Sequence, residues 1–386
     1  MNSFKINTIA AVLLASVSSM ATAASAPNIP VKSYSLVDET TGTTLASSNQ
    51  NDETQIASLT KIMTAYIVFG QLKNGYLKLD EKALISKKAW KTDGSSMFIE
   101  VGTSVLIEDL IKGMLIVSGN DAARALAEHV AGTSESFVEM MNKTAKKLGM
   151  NNTVYANPTG LPSNIEQHST AHDQAILASH IYSDFPEYTH YFEDKSFTFN
   201  GITQPNRNRL LKQDGYEGMK TGYTGKSGWS IISSFKKDDR RIIAVALNAG
   251  SVADRFSSAS SLTKFGYSQF KKITPLHKDN AISEMEVYYG KQNTIKLYPE
   301  KDLSFSIPRN IGKNDNITIE LALDKNGDHQ PVLFAPIVNS YVVGTVTVKQ
   351  DGVSLGTTNV ITKDHIEQVG VGGKIADKLK LFIKRI

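Results

Sequence analysis

Apolar and polar residues alternate over 33–38 and again over 43–47, on either side of Thr41-Gly42, which predicts a β-hairpin. The period then changes. Residues 58–72, 106–117 and 121–130 carry apolar side chains at helical spacing, the last two runs broken at Ser118-Gly119-Asn120. Residues 228–235 and 241–248 are apolar and β-branched and flank the charged turn Lys236-Lys237-Asp238-Asp239, a second strand pair, after which a helical run covers 253–270. Strand pair, helices, strand pair, helix is the order of an antiparallel sheet flanked by helices, an α+β fold. Beyond Ile273-Thr274-Pro275 the chain turns to short alternating stretches at 294–298, 303–307, 317–323 and 341–349. The pattern therefore predicts an α+β domain over 30–273 and a small all-β domain over 276–368. No repeat of fixed period and no low-complexity tract appears.

Both ends depart from this texture. Lys5 supplies a basic start, 9–17 an apolar core and Ala21-Thr22-Ala23 a small-residue cleavage site, the layout of an export signal over 1–23. Its apolar core is too short to cross a bilayer. At the other end Ile375, Leu379, Phe382, Ile383 and Ile386 share one helical stripe, while Lys374, Lys378, Lys380, Lys384 and Arg385 oppose Asp377 alone. Such a helix over 372–386 lies flat on an anionic membrane surface, apolar face down, with Gly370, Gly372 and Gly373 as a flexible joint before it. The alternative is a terminal helix packed on its own domain.

Composition narrows the chemistry. The 386 residues hold 42 Lys and Arg against 38 Asp and Glu, a net charge of +4, and no cysteine. Missing thiols exclude disulfide scaffolds, iron–sulfur clusters and Cys-type zinc sites, so covalent chemistry falls to Ser, Thr, Lys, Asp, Glu or Tyr. The small charge excess gives no footprint for nucleic acid.

Ser58-Leu59-Thr60-Lys61, Ser118-Gly119-Asn120 and Lys220-Thr221-Gly222 follow one another along the chain. Each alone is common; the order and local context of all three together are specific. A serine that opens a helix sits at the positive end of its dipole, with Lys61 one turn later on the same face. Its hydroxyl needs a base, and a lysine serves only when burial or a nearby cation lowers its pKa. Lys220 on a facing strand is such a cation. Ser118 can relay a proton, Asn120 offers an amide to a substrate peptide group, and Asp121 is placed to cap the following helix. Other signals fail in detail. Gly225-Lys226-Ser227 has Lys220 where a phosphate loop needs its first glycine, and Ser169 follows His168 where a His168/His172 zinc site needs glutamate. Residues 324–328 resemble the start of a calcium loop whose twelfth position is Ala335, which fits a hairpin turn better. No cofactor or metal is expected.

These motifs resemble the active-site signature of the penicilloyl serine transferases. Over its length the chain is similar to the low-molecular-mass penicillin-binding proteins of the 5/6 type, serine-type D-alanyl-D-alanine carboxypeptidases. The likeness takes in the signal, the motif-bearing domain, a β-rich domain with Ser306-Ile307-Pro308-Arg309 and Val342-Val343-Gly344-Thr345, and the amphipathic tail. The resemblance implies a β-lactamase/transpeptidase-like catalytic domain with Ser58 as nucleophile, Lys61 as base and Ser118 as proton relay. It implies that Asn120 grips the substrate backbone, that Lys220 on the Lys220-Thr221-Gly222 strand complements charge, and that Thr221 and Arg255 receive the terminal carboxylate. The backbone N–H groups of Ser58 and Tyr223 would form the oxyanion hole, with Arg207 nearby. Its implied partners are peptidoglycan stem peptides, β-lactams and the anionic outer face of the cytoplasmic membrane, placing an exported protein on the periplasmic side.

The residues agree independently on one point: a substrate ending in a carboxylate suits an arginine, whose planar fork pairs bidentately with it. Tyr223 departs from the histidine that related carboxypeptidases often carry, which opens the rate and pH dependence of deacylation. A β-lactamase would share the motifs, but Glu166 is followed four residues later by Thr170 rather than by asparagine. A catalytically idle binder of cell-wall peptide would have no need of the intact serine and both lysines.

Overall fold

Val31–Asp38 (β1) and Thr43–Ser48 (β2) pair antiparallel as the expected hairpin, and Tyr216–Thr224 (β3), Gly228–Lys237 (β4) and Arg240–Ala249 (β5) complete a five-stranded sheet in the order β2-β1-β5-β4-β3. The computed structural model describes residues 6–8, 27–309, 316–324 and 331–384. They fall into two units, Ala23–Phe270 and Lys271–Ile386 with Met1–Thr22.

Along β5, Ile242, Ala244 and Ala246 face one core while Ile243, Val245 and Leu247 face another, so both sides of the sheet are buried. That is why this strand reads as a continuous apolar run rather than an alternating one. The first core is closed by helix Val252–Gln269, through Ala259 and Leu262. The second belongs to a cluster of helices: Lys61–Lys73 (α1), Ile107–Leu115 (α2), Asn120–Ala131 (α3), Ser134–Lys147 (α4) and Ala171–Asp184 (α5). Helix α1 buries nearly its whole circumference, from Ile62 and Met63 to Val68 and Phe69, and forms the centre of that cluster. The apolar pattern alone did not predict α4 or α5. Helix α4 buries only Phe137, Met141 and Ala145, a stripe one residue wide. Helix α5 begins with a local signal instead, Thr170 accepting the Asp173 N–H at 3.0 Å.

The second unit is built on the hairpin Val342–Gln350 and Val353–Thr362. Ile317–Leu323 adds to one side, and Thr294–Pro299 then Ser283–Tyr288 to the other. Ile295, Leu297, Ile319, Leu321, Val346, Val348 and Val360 fill its core. The expected export signal lies outside the described residues except for Ile6–Thr8, a short strand parallel to residues 319–321, and of the turn at 324–328 only Asp324 is described.

Helix Val371–Lys384 ends the described chain; Arg385 of the basic face and Ile386 of the apolar stripe lie outside it. Here the glycine joint needs correction. Gly372 and Gly373 lie in the first turn of the helix, and a Cβ on Gly373 would come within 2.7 Å of a Val369 methyl, so close packing rather than flexibility calls for that glycine. Asp377 is buried and accepts the Tyr289 N–H at 2.7 Å, while Tyr289 O accepts from Val369 N at 2.8 Å. Ile375, Leu379, Phe382 and Ile383 point away, 64–65% exposed.

Candidate active site

Ser58 rides on a single 3-10 turn, Ala57–Thr60, that leads directly into α1. Backbone packs on this turn from two directions. A Cβ on Gly222 of β3 would sit 2.8 Å from Ile56 O and 3.3 Å from Ser58 N, and a Cβ on Gly160 would lie 1.8 Å from Ala57 O. Only glycine permits so close an approach, and Gly160 also takes φ +79°. The residue before the serine, Ala57, is held at φ +48°, a conformation costly for an alanine. The partly exposed Ser58 is thus fixed by its neighbours rather than by its own turn.

Lys61, the first residue of α1, is fully buried and reaches three oxygens: Ser58 Oγ at 3.0 Å, Asn120 Oδ1 at 2.6 Å and Thr159 O at 2.8 Å. Asn120 Nδ2 donates to Asp93 O at 2.7 Å, which turns its carbonyl oxygen toward the lysine. Two of the three oxygens, Asn120 Oδ1 and Thr159 O, can only accept. A neutral amine has two N–H groups and one lone pair, so the lone pair faces the Ser58 hydroxyl, the arrangement a base requires. Burial first, and the charge of Lys220 second, hold the Lys61 amine well below the ordinary lysine range; Asp121 works in the opposite direction.

Lys220 is also buried, on edge strand β3, and its Nζ donates to Thr221 O at 3.3 Å. Burial, then Arg255 and Arg207, push it down to about 7. Thr221 is buried beside it and Arg207 is exposed, its N–H donating to Ile116 O at 3.3 Å. Ser118, buried at φ +66°, occupies the turn between α2 and α3; among the described residues its hydroxyl bonds to neither lysine. Arg255 lies near the start of helix Val252–Gln269, 6% exposed, and burial followed by Arg209 pushes it down to about 10. Tyr223 is 52% exposed and stacks on Trp229 with centroids 3.8 Å apart.

Asp121 is not the N-cap of its helix. Helix α3 starts one residue earlier, at Asn120; the Asp121 carboxylate accepts one first-turn N–H, that of Ala122 at 2.9 Å, and otherwise accepts from the backbone N–H groups of Met97, Phe98 and Ile99 and from Ser96 Oγ. It fastens the 96–99 loop, adjoining Ser95, whose carbonyl accepts the Asn120 N–H at 2.7 Å. His168 and His172 sit on different elements, an isolated bridge to Val154 and helix α5.

The sequence pattern missed the segment 157–161. Asn157 Oδ1 accepts from Thr159 N, Thr159 Oγ1 and Gly160 N, and this Asx turn presents Thr159 O to Lys61. The run Asn157-Pro158-Thr159-Gly160 carries the turn chemistry that could have flagged it.

A serine touched by a buried, depressed lysine, with a second lysine near on an edge strand, defines a serine acyl-transfer enzyme of the penicillin-binding type. Comparison with known proteins makes this specific. The D-alanyl-D-alanine carboxypeptidase family matches residues 20–251, and the penicillin-binding protein 5 C-terminal domain matches 270–368. The chain is 36% identical over 364 residues to D-alanyl-D-alanine carboxypeptidase DacA of Haemophilus influenzae, covering 93% of this chain and 91% of that one. The crystal structure of penicillin-binding protein 5 from Haemophilus influenzae superposes with TM-score 0.79 at 35% identity, over 89% of this chain and 100% of that one. Penicillin-binding protein D2 from Listeria monocytogenes, in its ampicillin-bound form, matches with TM-score 0.58 at 30% identity over 62% of this chain and 99% of its own. The chain belongs to the D-alanyl-D-alanine carboxypeptidase family, with a transpeptidase-like catalytic domain followed by the all-β domain of penicillin-binding protein 5.

Proposed function

We propose that the chain removes the terminal D-alanine from peptidoglycan stem pentapeptides through an ester on Ser58, and that β-lactams acylate the same oxygen. The contact of the buried Lys61 Nζ with the partly exposed Ser58 Oγ carries this reading. Lys61 takes the hydroxyl proton as Ser58 Oγ attacks the carbonyl of the penultimate D-alanine. The ammonium that forms meets two acceptors already in place, Asn120 Oδ1 and Thr159 O. The N–H groups of Ser58 and Tyr223 receive the oxyanion. Ser118 passes the proton to the leaving nitrogen, the C–N bond breaks and free D-alanine departs. Water then attacks the ester, releasing the shortened peptide and regenerating the Ser58 hydroxyl. Asn120 holds the peptide, and Lys220, Thr221, Arg255 and Arg207 supply the positive wall for its carboxylate.

Purified protein incubated with a pentapeptide ending in D-Ala-D-Ala is expected to release one D-alanine per peptide. Benzylpenicillin is expected to add its whole mass to the peptide containing Ser58. Absence of both products overturns the proposal.

We further infer that the chain is exported and rests on the periplasmic face of the cytoplasmic membrane through its terminal helix. The sole acid of that helix turns inward to Tyr289 while its apolar residues face outward, which is the polarity a lipid surface needs. Among the described residues no helix is long and apolar enough to cross a membrane. Co-sedimentation with vesicles containing anionic lipid is expected to fall at least about tenfold in a Leu379→Asp/Phe382→Asp variant, with D-alanine release unchanged. Equal binding by both proteins would remove the membrane reading.

A further inference from the structure

We infer that Trp229 is a positioning residue for Arg255: its ring holds the guanidinium ready for the substrate's terminal carboxylate, and Tyr223 forms the outer leaf of the stack. The inference rests on the reading of Arg255 as carboxylate receptor and adds what keeps that receptor in place.

Arg255 is buried, yet among the described residues it pairs with no carboxylate, and its Nε has no hydrogen-bond partner. A buried guanidinium without a counter-ion is unfavourable and has no polar contact to fix its direction. The charges reaching this region, Lys220, Arg207 and Arg209, are all positive. The guanidinium is held instead by aromatic faces, its carbon 5.2 Å from the Trp229 centroid and 4.6 Å from that of Phe256. A ring face can carry a cation without satisfying its N–H groups, so the fork stays free to bind an anion. Trp229 in turn is stacked at 22° by Tyr223, its register partner across β3 and β4, at 3.8 Å. A ring that close covers one face of the indole, and the same indole carries the Arg255 guanidinium. The stack continues the strand bearing Lys220 and Thr221, so the aromatic support and the cationic wall share one origin. Trp229 falls in the apolar run 228–235, whose pattern predicts a strand and nothing more.

The test compares kcat/KM for a peptide ending in D-Ala-D-Ala with that for the same peptide carrying a C-terminal amide, using enzyme quantified by penicillin titration. The wild-type protein is expected to favour the acid by about a hundredfold, and Arg255→Ala to abolish most of that preference. Trp229→Leu keeps apolar bulk but has no π face, and is expected to lower the preference about tenfold, chiefly through KM. Trp229→Phe restores a ring face and is expected to stay near wild type. A wild-type protein indifferent to the amide would refute the carboxylate reading of Arg255 itself. A preference that collapses in Arg255→Ala but survives in Trp229→Leu would refute the role of Trp229 alone. Equal losses in Trp229→Leu and Trp229→Phe would likewise refute it, since any bulky substitution would then do the same.

Discussion

Ser58→Ala is expected to lower D-alanine release by about 10⁴-fold or more and to eliminate the covalent penicillin adduct, while leaving the thermal midpoint within a few degrees of wild type. The chemistry is lost because, among the described residues, the hydroxyl that Lys61 Nζ contacts is that of Ser58. The fold is spared for three reasons visible in the site. The side chain is partly exposed, the 3-10 turn is held by Gly160 and Gly222 packing on its backbone, and Lys61 keeps Asn120 Oδ1 and Thr159 O when the serine oxygen is removed. Mass spectrometry after exposure to benzylpenicillin, beside a D-alanine assay and a melting curve, measures all three quantities. An adduct persisting in Ser58→Ala would relocate the nucleophile and undo the mechanism.

Lys61→Met is expected to slow acylation by roughly 10²–10⁴-fold, the usual contribution of a positioned base. Lys61→Arg should lose about as much, because a guanidinium keeps the charge but cannot release its proton near neutral pH. Methionine fills a similar volume and spares the cost of burying an amine, although Asn120 Oδ1 and Thr159 O then lack a donor, costing about 1–3 kcal/mol for each acceptor left dry. The pH profile separates a base from a mere support. Because burial and Lys220 depress Lys61, its neutral form is populated at lower pH than for a free lysine, and acylation by wild type falls as the pH drops and that amine gains its proton. Lys220, pushed down to about 7, loses its charge on the alkaline side, so kcat/KM falls again there; in kcat, which reports the bound complex, a substrate carboxylate moves that limb upward. Stopped-flow acylation should show the acid limb in wild type and none in Lys61→Met. An arginine variant that acylates at the wild-type rate would end the case for Lys61 as base.

Much of this was legible before any coordinates. Alternating and helical periods located both strand pairs, the helix that follows Ser58 and the helices on either side of Ser118-Gly119, because those segments bury whole faces. The three motifs came forward because their residue types are unusual at those spacings. What stayed hidden has a common physical character. The partner of Lys61 at Thr159 is a backbone carbonyl, which no side-chain pattern encodes. Asp121 has the composition of a cap, but the helix begins at Asn120, and with that shift of one residue the carboxylate takes only the Ala122 N–H of its own helix and turns its other bonds to the 96–99 loop. Helix α4 was invisible because one buried residue per turn is too thin a stripe to read. Trp229 sits in an apolar strand, and nothing in the sequence shows that its ring meets an arginine twenty-six residues on.

The tie between Asp377 and the Tyr289 amide has a mechanical meaning. Tyr289 sits at φ +61° and is gripped on its other side by Val369 N, so the rotation of the last helix about its own axis is set by the β-rich unit before any lipid is met. An end fixed in roll works as a keel rather than a leash: on the membrane reading proposed above, every molecule would present its β-rich unit to the bilayer at one tilt.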